Sequence, residues 1–145
     1  MIKILCVGKI KERYLNELID DYSKRIRKYH KIEIIELKDN AVYEKEIKSL
    51  KERIDLRDYN IALDSKGKSY NSEELAQKIN DVFQINGNIT FIIGGSNGLD
   101  DEIRGMVNEI ISFSNFTFPH GLFRGILLEQ IYRSFKINNN ETYHK

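Results

Sequence analysis

The stretch Ile89-Thr-Phe-Ile-Ile-Gly-Gly-Ser-Asn-Gly98 decides the fold class of this chain. Its first five residues are almost wholly apolar, and such a short run is typical of a strand at the centre of a parallel sheet, covered on both faces. The glycines that follow predict a turn in which several residues can adopt positive φ. The stretch therefore predicts a buried strand that ends in a tight glycine turn.

Strands and helices alternate on either side of this stretch. Further strands are predicted at Ile2–Val7, Ile32–Leu37 and Tyr59–Asp64, with a short extended segment at Ile110–Phe118. Apolar spacing and capping residues predict helices over Glu12–Tyr29, over Tyr43–Arg53, after the cap pair Asn71 and Glu74, over Asp100–Glu109 and over Pro119–Lys136. This alternation predicts one α/β domain over residues 1–145, with a mostly parallel sheet and helices on both faces.

The composition excludes several classes of protein. Hydrophobic residues make up 41% and charged residues 31%, as in an ordinary globular domain. No apolar run reaches the roughly 20 residues that cross a bilayer, so we expect no membrane association. The one cysteine, Cys6, has no partner for a disulfide or a metal site. We therefore expect a cytoplasmic protein with a buried thiol and no metal.

The charge is unevenly distributed along the chain. The net charge is only +1, which by itself does not indicate a nucleic-acid-binding protein. The segment Lys24–Lys31, however, contains five lysines and arginines and no acid. Such a run is more often a solvated helix face than a phosphate contact, so it is compatible with RNA binding without demonstrating it.

The glycine turn after Ile93 is the first candidate site. A glycine-rich turn between a strand and a helix often binds phosphate, because free helix amides favour anions. Here the next helix begins with Asp100-Asp101-Glu102, and three carboxylates would repel a pyrophosphate while favouring a cofactor that carries a sulfonium and an ammonium. Neither the lysine pattern of a phosphate-binding loop nor the GxGxxG spacing of a dinucleotide-binding site is present. A purely structural turn also remains open.

The segment Phe113-Ser-Asn-Phe-Thr-Phe-Pro-His120 is the second candidate. Phenylalanines are usually core residues. Here they alternate closely with small polar residues at a strand-to-helix junction, which is unusual. Such a segment is suited to an apolar slot for an adenine ring, with backbone N–H and C=O groups that hydrogen-bond to the edge of the ring.

The last predicted helix and the chain end are the third candidate. Arg124, Glu129, Arg133 and Lys136 place ionisable groups on a helix that otherwise has a buried pattern. The terminal Tyr143-His-Lys145 adds a phenol, an imidazole and a cation. Chain ends are usually frayed, but these groups are the ones that an RNA-modifying site needs.

Taken together, these motifs resemble those of the RlmH family of the SPOUT class of methyltransferases, and the resemblance covers essentially the whole chain. The motifs that carry it are Phe91–Leu99, Phe113–His120, Leu127–Lys136 and Tyr143–Lys145, with supporting pieces at Val7–Lys9, Tyr29–Glu36 and Leu63–Lys68. The order and spacing of several motifs together make the resemblance specific.

The resemblance implies a fold and an activity. It implies an α/β fold with a C-terminal trefoil knot, a feature that no periodicity in a sequence could indicate. It also implies a homodimer that uses S-adenosyl-L-methionine. The implied reaction is methylation of N3 of a pseudouridine in helix 69 of 23S rRNA, on the ribosome.

The resemblance also implies roles for particular residues. Implied cofactor-binding residues are Leu63, Gly94, Phe113, Ser114, Asn115, Phe116, Thr117 and Phe118. Implied substrate and catalytic residues are His120, Arg124, Glu129, Tyr132, Arg133, Tyr143 and His144. The imide proton would pass to His144, His120 or Glu129, between which the sequence does not choose. Arg124 or Arg133 would stabilise the negative charge that develops on the carbonyl oxygens of the base, and Tyr143 would stack on the base.

The chain departs from the family pattern in two places. It is shorter than typical members around Ala41–Arg57, and Gly121 and Gly125 stand where bulkier residues are common. Glycine inside a helix costs about 1 kcal/mol relative to alanine. Two other functions stay open from the residues alone: a non-catalytic RNA-binding or ribosome-binding protein, and a doubly wound enzyme that binds a nucleotide at the glycine turn.

Overall fold

The structure, a computed structural model, describes all 145 residues as five strands and five helices. The elements in chain order are β1 (Ile2–Val7), α1 (Arg13–Arg27), β2 (Ile32–Leu37), α2 (Tyr43–Arg53), β3 (Tyr59–Ser69), α3 (Ser72–Phe83), β4 (Ile89–Ile93), α4 (Asp101–Met106), β5 (Glu109–Ser112) and α5 (His120–Asn138). The strands form one sheet in the order β2-β1-β4-β3-β5, and all four pairings are parallel. The predicted α/β class is confirmed. None of the helices has the length and apolar character that a membrane span requires.

Strand β4, which the sequence predicted to lie at the centre of the sheet, does lie there. All five residues of β4 are buried, and the strand lies between β1 and β3. Phe91 faces the larger core, to which α1, α3 and α5 contribute, whereas Ile92 faces a smaller core with α2 and α4. Because β4 has helices on both faces, its residues must be apolar without alternation, which is the pattern seen in the sequence.

Helix boundaries follow local capping chemistry. The Asn71 side chain accepts from the backbone of Glu74, and the Glu74 side chain accepts from the backbone of Asn71, so the predicted cap pair is a full capping box. Pro119, predicted in the first turn of the last helix, is instead the N-cap residue directly before α5. The other predicted bounds of α1, α4 and α5 differ from the observed ones by one to three residues.

The extended segment predicted at Ile110–Phe118 is wrong in its length. Strand β5 ends at Ser112, because the Ser112 hydroxyl donates to the Ser114 carbonyl and the Ser114 hydroxyl accepts from the backbone N–H of Phe116. Such local bonds compete with a strand ladder. Residues 113–119 therefore form a loop at the end of the sheet.

Strand β3 is longer than predicted. It continues past Asp64 to Ser69, with a bulge between Leu63 and Lys68 where its register against β5 shifts. Gly67 permits this second contact, because a Cβ there would lie 2.7 Å from the backbone of Ile110. The five residues after the predicted end at Asp64 are therefore part of an irregular strand.

Two glycines allow α5 to approach α1 closely. A Cβ on Gly125 would lie 2.5 Å from Cδ2 of Leu18, and a Cβ on Gly121 would lie 2.8 Å from Cδ1 of Leu15. Glycine lowers the intrinsic stability of α5, but at these two positions it also permits tight packing between α5 and α1.

Cys6 is the buried thiol that the sequence predicted. It is fully buried on β1, and burial raises its pKa to about 11. A thiol with so high a pKa is a poor nucleophile at neutral pH.

Candidate active site

The middle of β3 and the carboxyl ends of β4 and β5 meet around a cavity of about 280 Å³. This volume is close to the lower end of the range for ligand sites, roughly 300 to 1,000 Å³. The cavity is lined by Leu63, Asp64, Ser65, Ile93, Gly94, Gly95, Ser96, Gly98, Leu99, Ile111, Phe113, Ser114, Phe116, Thr117, Phe118, His120 and Phe123. We call it the sheet-end cavity. No lysine or arginine lines it, which disfavours a phosphate ligand.

The glycine turn forms one wall of the sheet-end cavity. A Cβ on Gly94 would lie 2.9 Å from Cδ2 of Leu99 and 3.0 Å from the carbonyl of Gly98, so only glycine fits. Gly98 has a φ of +74°, a conformation that favours glycine. The Tyr43 hydroxyl donates to the Gly98 carbonyl at 3.3 Å and ties the turn to α2. The turn thus presents backbone, rather than side chains, to the cavity.

The loop of residues 113–119 forms the opposite, aromatic wall. Phe113 packs edge-on against Phe123 with ring centroids 5.5 Å apart, and Phe118 stacks on the same ring at 5.9 Å. Phe116 also lines the cavity, although it is 80% exposed. The loop therefore combines a fixed apolar surface with some backbone groups, such as those of Thr117, that make no hydrogen bond within the chain.

The structure brings together most of the predicted cofactor residues. Seven of them line the sheet-end cavity: Leu63, Gly94, Phe113, Ser114, Phe116, Thr117 and Phe118. Asn115 does not line it and is exposed. His120, predicted as a catalytic residue, also lines the cavity.

The acidic start of α4 is neutralised by cations that sequence reasoning did not consider. Lys51 contacts Asp100 at 3.0 Å and Glu102 at 2.6 Å. Arg104 contacts Asp64 at 2.6 Å and, more loosely, Asp101. The prediction that these acids would directly favour a cationic cofactor is therefore weakened, because their charge is already paired.

One acid beside the turn is not paired. Glu46 on α2 is 7% exposed, and its carboxylate oxygens lie 2.8 and 2.9 Å from the position that a Cβ on Gly95 would occupy. Its carboxylate takes part in none of the hydrogen bonds or ion pairs within the chain. Burial raises the pKa of Glu46, Asp39 raises it further and His120 lowers it. The sequence did not single out Glu46, since it lies in a charged stretch that is typical of a solvated helix.

The predicted residues at the end of the chain form a second cluster, which we call the tail cluster. Arg133 donates through Nε to Glu129 at 2.8 Å and through Nη1 to Nδ1 of His144 at 3.1 Å. Nε2 of His144 lies 2.7 Å from Glu73 on α3. Because Arg133 only donates, Nδ1 must accept, so Nε2 carries the proton and donates to Glu73.

Two tyrosines complete the tail cluster. Tyr143 packs edge-on against Tyr132 at 4.9 Å, and the Arg133 guanidinium lies 4.8 Å from the Tyr143 ring centroid. Burial raises the pKa of Tyr143 to about 12, so it stays a neutral phenol. The chain end is therefore packed rather than frayed.

Arg124 belongs to neither group. It is 3% exposed, and its guanidinium donates to Glu36 at 2.7 Å and to the carbonyls of Val7 and Gly8 at 2.9 and 2.7 Å. These bonds join α5 to the end of β1. The expected contact of Arg124 with substrate is therefore not supported by its position.

A second cavity of about 340 Å³ lies beside the first. It shares Phe113 and Phe118 with the sheet-end cavity and includes Glu73 of the tail cluster. Its other lining residues are Tyr70, Asn71, Ser72, Leu75, Ile126 and Gln130. The two candidate sites are thus connected along one surface.

The basic segment lies at the end of α1. Arg25 pairs with Asp21, whereas Lys24, Arg27, Lys28 and Lys31 are exposed and make no ion pair. Four unpaired cations are available to phosphates at this end of the helix.

These features define an α/β protein with a parallel sheet and a ligand-sized cavity behind a glycine turn, and the comparisons with known proteins identify its class. The profile of the family described as "Predicted SPOUT methyltransferase" matches residues 1–144, and the chain belongs to this family.

Within the family, the chain is similar to proteins named Ribosomal RNA large subunit methyltransferase H. It is 47% identical to the protein of that name from Clostridioides difficile (strain 630) and 46% identical to that from Streptococcus uberis. Each alignment covers 99% of both chains. The resemblance to the RlmH family is confirmed. Both alignments span 157 positions, so this 145-residue chain lacks at least 12 of them. The placement of this shortening around Ala41–Arg57 stays a prediction.

A solved structure supports the fold alone. The structure of a probable methylase family protein from Haemophilus influenzae Rd KW20 superposes with a TM-score of 0.60 at 12% identity. The match covers 99% of this chain and 70% of the other.

Proposed function

We propose that this protein is an S-adenosyl-L-methionine-dependent methyltransferase that acts on N3 of a pseudouridine in helix 69 of 23S rRNA. The observation that carries the proposal is the sheet-end cavity, which is lined by seven of the eight residues that the family resemblance implies for the cofactor. Membership of the SPOUT family and the printed names of the full-length relatives support methyl transfer to ribosomal RNA.

The residues of the cavity fit this cofactor. Phe113 and Phe118 offer an apolar surface for an adenine ring, and the Phe116 carbonyl and the Thr117 backbone, which make no hydrogen bond within the chain, are available to bond its edge. Gly94 allows the ligand to approach the backbone, since a side chain there has no room. When bound, the cofactor supplies a methyl group that is already electrophilic.

The chain has three tasks in the reaction: it holds the RNA base, removes the imide proton and excludes water. His120 is the only proposed proton acceptor that lines the sheet-end cavity, and it is exposed at the mouth. Glu129 and His144 are both bonded to Arg133, so we assign them, with Arg133, to holding the RNA. Positioning of this kind lowers barriers by up to about 7–11 kcal/mol.

The aromatic residues of the tail cluster suit an unstacked RNA base. Tyr143 lies beside Arg133 and Tyr132, which together offer stacking surfaces and a cation. Arg124 takes a positioning role instead, because its bonds to β1 fix the start of α5, which carries His120.

The homodimer and the trefoil knot remain predictions from the family resemblance, and the cytoplasmic location remains a prediction from the composition. Apolar side chains near the cavity are compatible with a partner surface, since Phe116 is 80% and Leu122 39% exposed. Light scattering on the purified protein should give twice the mass of the 17.0 kDa chain. A mass of one chain at micromolar concentration would contradict the dimer.

The function is tested by mass spectrometry of ribosomal RNA. A strain that lacks this protein should lose one methyl group on a pseudouridine in helix 69, and the wild-type chain should restore it. As a control, a chain lacking residues 141–145 should fail to restore it. An unchanged methylation pattern in the deletion strain would contradict the proposal.

A non-catalytic RNA-binding protein is the second candidate, and the four unpaired cations at the end of α1 favour it. It predicts RNA binding without cofactor binding. Calorimetry with S-adenosylmethionine separates the two, because only the enzyme should bind this ligand.

A further inference from the structure

Glu46 is the one buried acid near the glycine turn that has no hydrogen-bonding or ion-pair partner in the chain, since Asp39, which is also unpaired, is exposed. Asp64, Asp100, Asp101 and Glu102 each contact Lys51 or Arg104. Glu46 is the most buried of the five and has no ion pair. An unpaired buried carboxylate is costly to the fold, and groups of this kind concentrate at functional sites.

The surroundings of Glu46 keep its carboxylate beside the turn. Tyr43, one helical turn earlier on α2, bonds the carbonyl of Gly98 and fixes the helix against the turn. Gly95 has no side chain, and any Cβ there would collide with the carboxylate. Gly95 lines the sheet-end cavity and Glu46 does not, so the carboxylate lies behind the glycine turn and not in the cavity wall itself.

The chemistry of a ligand that would complete this site follows from charge. The ionisable groups that act on Glu46 are Asp39, which follows β2, and His120 at the start of α5. Neither forms a bond with it, and no lysine or arginine lines the cavity. A cationic ligand would therefore supply the positive charge that the chain does not.

We propose that Glu46, from behind the glycine turn, supplies the negative charge that stabilises the positive charge of the methyl donor, its ammonium or sulfonium group. This rests on the proposed function. From the sequence alone, the preference for a cationic cofactor was attributed to the acids at the start of α4. Because those acids are paired, the proposal attributes it to Glu46 on α2 instead.

The pH dependence follows from the raised pKa of Glu46. A bound cation favours the ionised carboxylate, so binding lowers this pKa and releases a proton. We expect the affinity for S-adenosylmethionine to fall as the pH is lowered toward the ordinary carboxyl value of 4.5. The binding enthalpy of the wild-type protein should vary with the ionisation enthalpy of the buffer in the same range.

The test is calorimetry with two ligands that differ by one charge. S-Adenosylmethionine has a sulfonium and an ammonium, whereas S-adenosylhomocysteine keeps only the ammonium. Glu46→Gln should weaken binding of S-adenosylmethionine by about 10- to 100-fold. An equal loss for both ligands assigns the ammonium, and a loss for S-adenosylmethionine alone assigns the sulfonium. Glu44→Gln, an exposed acid on the same helix, is the matched control and should bind like the wild type.

A stability measurement separates binding from folding. Because the folded-state pKa of Glu46 is raised, its ionisation opposes folding, and this opposition grows as the pH rises through the carboxyl range. Glu46→Gln should therefore raise the melting temperature at neutral pH, with a smaller difference in acid.

The outcomes are distinguishable. Wild-type affinity in Glu46→Gln, or a wild-type enthalpy that is independent of buffer near the raised pKa, would overturn the role of Glu46 and leave the proposed function intact. If the wild-type protein itself failed to bind S-adenosylmethionine, the proposed function would fail as well.

Discussion

The sheet-end cavity and the tail cluster lie on one surface but are built in different ways. The cavity is formed by the middle of β3, the ends of β4 and β5, glycines and packed phenylalanines, so its shape follows from the core of the fold. The tail cluster is held by side-chain bonds between distant parts of the chain, such as His144 with Glu73 and Arg133. Under the proposed function, we expect cofactor binding to depend on rigid backbone and RNA binding to depend on side-chain bonds between distant parts of the chain.

Removal of residues 141–145 should have the largest effect. Without Tyr143 and His144, the tail cluster loses its aromatic and imidazole groups, while the sheet-end cavity keeps every lining residue. We expect methyl transfer to RNA to fall by on the order of 1,000-fold or more, with the affinity for S-adenosylmethionine unchanged. Single-turnover transfer of labelled methyl groups and calorimetry measure the two quantities. Retained turnover would remove the tail from the mechanism; Thr142→Ala is the control.

Gly94→Val tests the sheet-end cavity, and it should impair cofactor binding while leaving RNA binding intact. The added side chain would collide with Leu99 and with the backbone of Gly98, so the turn must deform. Cofactor affinity should fall by about 100-fold, while RNA binding in a gel-shift assay should stay within about twofold of the wild type. Gly87→Ala is the control, since a Cβ there meets nothing within 4 Å. Equal losses of RNA and cofactor binding would show that the two regions are not separable.

Charge reversal at the end of α1, measured at several salt concentrations, tests whether RNA binding and cofactor binding depend on different parts of the molecule. Replacing Lys24 and Lys28 with glutamate removes two unpaired cations, and RNA affinity should fall by about tenfold in low salt. The slope of log affinity against log salt should decrease by about two. Binding of S-adenosylmethionine should show no comparable salt dependence. An unchanged slope would place the RNA elsewhere on the molecule.

Glu73→Ala should have the smallest effect of the series. The variant removes the acceptor that holds Nε2–H of His144 and thereby fixes the tautomer of the ring. We expect a fall of about three- to tenfold in kcat with RNA and no change in cofactor affinity. Glu73→Gln, whose amide carbonyl still accepts, should recover most of the rate. If the alanine variant had full activity, the observed tail contacts would not be those of the working enzyme.

The sequence predicted the parts of the molecule that local patterns determine. The apolar run of β4, the capping box at Asn71 and the glycine turn all depend on near neighbours, and the structure confirms them. The length of β5 was predicted wrongly, because the bonds around Ser114 that end it have no hydrophobic signature. Glu73 and Glu46 were missed for a related reason. Each is one acid on a charged helix, and only the tertiary fold brings it to a candidate site.

The account depends most on S-adenosylmethionine binding in the sheet-end cavity. The most direct test is an NMR titration that follows backbone amide shifts of the protein as this ligand is added. We predict that the largest shifts fall on Gly94, Gly95 and residues 114–117, with small shifts in the tail cluster. Saturable binding with the largest shifts outside these residues, or no binding at millimolar ligand, would contradict the account.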